Sequence, residues 1–129
     1  LHVSYGFITL GIALLGLVGL QWIAPTLAIH ALAAGGIGLL CSAMVARISL
    51  GHTGRNIYQT PRGLVWVFVL LASAAVFRVI MPMVWPNFYS LWVELAQWGW
   101  ILGFAWLFIL YWPILSKPDP VESPNSIRL

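Results

Sequence analysis

Four stretches of this chain are long, apolar and nearly free of charge, over about 5–24, 26–50, 64–85 and 89–112. A hydrocarbon core of about 30 Å needs roughly 20 apolar residues per helical crossing. Within that core every backbone polar group must bond inside its own segment, so the four runs read as helices. Composition agrees: at 61% hydrophobic and 7% charged residues, a water-soluble fold would have too few charges to cover its surface. The expected fold is all-α, a polytopic membrane protein with four transmembrane helices. One membrane domain over 1–115 is followed by a polar tail, 116–129, whose Pro and Ser content predicts disorder.

The few charges also set an orientation. Arg47, Arg55, Arg62, Lys117 and Arg128 fall on one side of the bilayer if the spans alternate, while the connections at 24–26 and 86–88 carry no Lys or Arg. By the positive-inside rule both ends and the 51–63 loop are expected on the cytoplasmic side, with the 24–26 and 86–88 turns periplasmic or external. A net charge of +3, placed at membrane edges, gives no footprint for a nucleic-acid partner. The lipid bilayer is the expected partner. The chain opens at Leu1 with no basic n-region, so its first span does not read as a signal peptide, and the expectation is a piece of a longer membrane protein. Cys41, the single cysteine, has no basic neighbour to stabilise a thiolate and reads as a small packing residue.

Small residues indicate where helices approach. Gly6, Gly11, Gly16 and Gly19 occur in the first span. Ala34, Gly38, Ser42 and Ala46 form a four-residue stripe on the second, and Gly99 and Gly103 have GxxxG spacing on the fourth. In lipid such positions let backbones come close. Pro25 suits the first turn of the second helix, and Gly51 with Gly54 turns the chain out of the membrane at His52.

Polar side chains that the membrane would bury are the candidates for chemistry. His30 lies one turn inside the second span, and neutral imidazole suits haem iron or copper as well as a plain structural hydrogen bond. Arg78 sits about 10 Å inside the third helix, at a depth overlapping His30 and Glu94. It can pair with Glu94, snorkel to the interface, or face an anion such as a haem propionate. A static Arg78–Glu94 pair in a transport or scaffold module without cofactor is the competing reading. At the opposite edge lie His2, His52, Arg47, Arg55 and Arg62. His30 and His52 are about 33 Å apart if the segment is helical, so they cannot share one metal. No close ligand spacing such as H-x-x-x-H occurs. Met44, Met81 and Met83 read as filler. The Gly51 to Arg55 turn lacks the features of a P-loop, and remains open as a seat for a propionate, a lipid headgroup or the end of a neighbouring helix.

The run His30-Ala31-Leu32, then Gly35-Gly36-Ile37-Gly38, then Met44 to Arg55 with its Leu50-Gly51-His52-Thr53-Gly54-Arg55 core resembles the NnrS family. Leu1 to Tyr5 and Tyr111 to Leu115 add weaker likeness. The resemblance implies a polytopic bacterial inner-membrane protein associated with haem and copper and with the response to nitric oxide. It leaves open whether there is turnover. Family members are much longer, so it also implies the C-terminal portion of a bundle of about twelve helices at roughly 20 residues per crossing, whose remaining helices would be partners. Carried over by residue, His30, Arg47, His52 and Arg55 match family positions, and His2 joins them. The implied cofactor set is therefore His30, His52, Arg47, Arg55 and Arg78, with His30, His52 and His2 as the metal candidates.

Overall fold

The computed structural model describes residues 1–117, so the expected disorder of the tail falls almost wholly outside the described residues. It contains four helices long and apolar enough to cross a membrane. We label them α1 (His2–Gly19), α2 (Pro25–His52), α3 (Leu64–Val84) and α4 (Tyr89–Ser116). Among the described residues there is no strand.

The ends of these helices follow from local chemistry. α1 stops at Gly19, short of the expected Ala24, because Gln21 adopts a left-handed conformation with φ 61°. The Gln21 amide donates to the Val18 carbonyl at 2.9 Å and the Trp22 amide to Leu17 at 3.1 Å, the paired bonds of a Schellman stop. Pro25 opens α2, where a missing N–H costs nothing. Pro113 does not end α4 as expected; the helix carries it and continues to Ser116. Proline deprives the helix of one hydrogen bond there.

α2 departs most from the sequence expectation. Its residues Ala31–Gly38 form a π-helix between two α-helical stretches. The wider i to i+5 turn occurs where the sequence is Ala and Gly almost throughout, with little side-chain bulk to oppose close approach. Gly35 and Gly36 of this turn face Phe7 and Ile8 of α1, while Gly38 faces the Trp100 ring of α4. One short segment thus contacts two different helices.

α3 and α4 form the most extensively packed pair. Leu71 of α3 lies against Gly103 of α4, where a Cβ would come within 2.6 Å of its side chain, and Ala74 lies against Gly99. The GxxxG face is thus used for the close approach the sequence predicted. Val67, Leu71, Ala74, Ala75 and Val79 of α3 are fully buried and form the centre of the core. Phe77 stacks on Trp92 at 6.1 Å, and the Trp92 indole N–H donates to the Trp85 carbonyl at 3.1 Å. These aromatics fix the α3–α4 turn. α4 is otherwise turned outward, with 11% of its most apolar window buried. Its Trp98, Ile101, Phe108 and Ile109 present an apolar surface suited to lipid or further helices.

Candidate functional site

Between α2, α3 and α4, near the α3–α4 turn, lies a cavity of about 640 Å³ lined by His30, Ala33 and Ala34, by Arg78, and by Ala96, Gln97 and Trp100 with their neighbours. That volume is within the usual range for small-molecule and cofactor sites. Trp100, seated on Gly38, forms part of its wall.

His30 ends the first α-helical stretch of α2, immediately before the π-helix. Its Nδ1 lies 2.6 Å from the Thr26 carbonyl oxygen. A carbonyl only accepts, so Nδ1 is the donor, and in the neutral imidazole Nε2 is then the nitrogen that bears the lone pair. A backbone carbonyl behind Nδ1 is the arrangement that fixes tautomer and ring orientation in metal-binding histidines.

Arg78 enters the same cavity from α3. Its Nη1 donates to the Tyr89 hydroxyl at 3.2 Å, and the guanidinium carbon stands 5.8 Å from the centre of the Tyr89 ring. The Arg78–Glu94 pair considered from the sequence is not formed: Glu94 is exposed on α4, and Arg78 extends instead toward the membrane edge, where the Tyr89 ring and hydroxyl receive its charge. One hydrogen bond uses one of five guanidinium N–H donors, leaving the others for an anion. Pro82, inside α3, has no N–H, so the Arg78 carbonyl also lacks its usual i+4 donor.

The other candidates lie at the opposite end. His2 begins α1 and His52 ends α2, and both are exposed. The structure does not bring either to His30. The signature run around His52 is a helix stop. Gly54 is left-handed with φ 62°, the Gly54 and Arg55 amides donate to Gly51 and Leu50 at 3.3 and 3.0 Å, and the Thr53 hydroxyl donates to the Ser49 carbonyl at 2.8 Å. Arg55 then reaches across to α4, donating from Nη1 to the Ile114 carbonyl at 2.7 Å. That carbonyl is among the last four of its helix, which have no intrahelical donor, and a cation there also complements the helix dipole. Of the partners the sequence left open for this turn, the end of a neighbouring helix is the one found. Arg47 is exposed one turn earlier.

The donor set can be tested against the two groups the resemblance implies. A haem site is commonly built from an axial ligand such as imidazole, apolar walls and a cation for the acidic edge, and His30, the cavity walls and Arg78 fit that pattern. Copper requires several N or S ligands. Among the described residues no group of three or more His, Cys, Asp or Glu is close enough to hold a metal ion, so these residues do not by themselves form a copper centre of that ligand type. Glycine packing at the π-helix and the role of Trp100 in the cavity wall were missed from the sequence. The only signal was the Ala-Gly run beside His30.

Four helices long and apolar enough to cross a membrane, three of them lining an open histidine-bearing cleft, define a polytopic membrane protein. The family model for the NnrS protein matches residues 1–118, and the chain belongs to the NnrS family, which associates it with the nitric-oxide response. No curated protein and no solved structure matches it.

Proposed function

We propose that the His30 cleft binds haem in a bacterial inner-membrane protein of the nitrosative-stress response. The observation that carries this reading is the Nδ1 bond from His30 to Thr26, which holds Nε2 free beside a 640 Å³ cavity. His30 would hold the iron, Arg78 would meet a propionate by a charge-assisted bond, and Trp100 would form part of the wall. Bound haem iron supplies a site for a diatomic ligand such as nitric oxide. The chain's own contribution is to fix the imidazole tautomer, neutralise the acidic edge and keep the walls apolar. Family membership supports the association with haem; copper, if bound, would draw on residues beyond this ligand set.

Optical spectra and metal analysis of the purified protein test the reading. His30→Ala is expected to lose the haem absorption, whereas His52→Ala and His2→Ala keep it. Full haem loading in His30→Ala would overturn the assignment. Arg78→Gln should retain haem with weaker binding, because the axial bond persists while one charge-assisted contact of about 1.5–3 kcal/mol is lost.

A further inference from the structure

A second groove lies between α2 and α3 on the arginine-bearing side, its inner part bordered by the start of α1. α2 contributes Leu39, Ala43 and Arg47, and α3 contributes Leu64, Phe68 and Ala72. Each set recurs at four-residue spacing, so each occupies one helix face. A cavity of about 330 Å³ at the membrane edge and one of about 150 Å³ farther in share Ala43 and Phe68 as lining residues. The two therefore form one track, spanning about 12 Å from Arg47 to Leu39 along the α2 axis.

The track is most polar at its outer end. Arg47, Tyr58 and Thr60 line the outer cavity, and among the described residues Arg47 makes no hydrogen bond. Tyr111 of α4 lines the same cavity; it is 5% exposed, and its hydroxyl is buried without a hydrogen-bond partner among the described residues. Such an orphan group is costly unless something supplies a partner. Farther in, Val3, Leu39, Phe68 and Ala72 give apolar walls, with Ser4 of α1 as the polar side chain among them. A cation and hydroxyls at the membrane edge, leading into an apolar track toward its centre, match an amphiphile whose anionic head sits at headgroup depth.

We propose that this groove binds one anionic phospholipid, with its phosphate on Arg47 and an acyl chain along Ala43 and Phe68. Arginine matches phosphate geometry through its planar fork of donors, and basic pockets between transmembrane helices take lipid headgroups by this chemistry. The Tyr111 hydroxyl is the donor available to an ester oxygen of the lipid. This site is independent of the His30 cavity.

Native mass spectrometry of the protein in mild detergent, with phosphatidylglycerol or phosphatidylcholine added, tests the proposal. The wild type is expected to retain phosphatidylglycerol in preference to phosphatidylcholine. Arg47→Gln should reduce that retention about tenfold or more. Ala43→Leu, which blocks the track without removing charge, should do the same, and Arg47→Lys should restore part of it. Arg62→Gln, at an exposed arginine of the 51–63 loop outside the groove, should bind as the wild type does, and glycerol 3-phosphate alone should not compete. Equal retention of the two lipids, wild-type retention in Arg47→Gln, or an equal loss in Arg62→Gln would overturn the proposal. Competition by glycerol 3-phosphate would overturn the acyl-chain contact.

Discussion

At the scale of single residues, two helix stops of the same kind show what sequence states openly and what it hides. After α2, Gly54 supplies the left-handed residue and the motif is visible as Thr53-Gly54-Arg55. After α1, Gln21 takes the same conformation at φ 61° with nothing in its type to announce it. A side chain there strains against the following carbonyl, so Gln21→Gly is expected to stabilise the protein by about 0.5–1 kcal/mol, read as a higher melting temperature in detergent; a lower one would contradict the geometry. Arg55 raises the opposite issue. Its sequence context suggested a site or a topological anchor, whereas its contact with Ile114 joins a loop to a helix end 59 positions away. Arg55→Leu should cost about 1–3 kcal/mol, since a charge-assisted bond is lost and a terminal carbonyl is left without its donor. Thermal unfolding of Arg55→Leu beside Arg55→Lys would measure it, and an unchanged midpoint in both would exclude the cap. Family likeness marked Arg55 without indicating its bond to the Ile114 carbonyl.

At the scale of elements, small-residue spacing was a sound guide to helix contact and a poor guide to its partner. Gly99 and Gly103 meet α3, as GxxxG spacing leads one to expect. The stripe Ala34, Gly38, Ser42 and Ala46 was read as one smooth contact. Only Gly38 is covered by the Trp100 ring, with Ala34 lining the His30 cavity on one side and Ser42 and Ala46 lining a 710 Å³ cavity on the other. The π-helix over Ala31–Gly38 changes the register of the helix face, so a four-residue count carried through it no longer tracks one side. Gly103→Leu is expected to force α3 and α4 apart and destabilise by about 1–3 kcal/mol, because the atoms it meets belong to buried Leu71 rather than to a mobile surface chain. Chemical denaturation in mixed micelles reports this, and a variant as stable as the wild type would show that the pair has room to spare.

At the scale of the whole molecule, Trp100 lines the His30 cavity and lies against Gly38, which lines the neighbouring 710 Å³ cavity, so Trp100→Ala should open the proposed haem site inward. The expected readout is faster exchange of haem to an apoprotein acceptor with His30 intact; an unchanged rate would mean that Trp100 closes nothing. Orientation is testable because Cys41 is the only cysteine. In a Cys41→Ser background, His52→Cys and Asn87→Cys are expected to react with impermeant thiol reagents from opposite faces of the membrane, with His52→Cys reacting from the cytoplasm. Labelling from one face would remove the alternating topology.

The sequence by itself determined that four segments are helical and belong in lipid. Hydropathy and chain length act within each segment and need no knowledge of its neighbours. It also marked His30 and Arg78 as costly to bury, and so as candidates. Only the tertiary structure decided that Arg78 turns to Tyr89 rather than Glu94, that the Thr26 carbonyl fixes the tautomer of His30, and that His2 and His52 stand outside the cavity. Those outcomes depend on helix rotation and packing partners. In this protein they follow from a π-helix and a few glycine contacts, which hydropathy cannot register because they leave the apolar character of the segments unchanged.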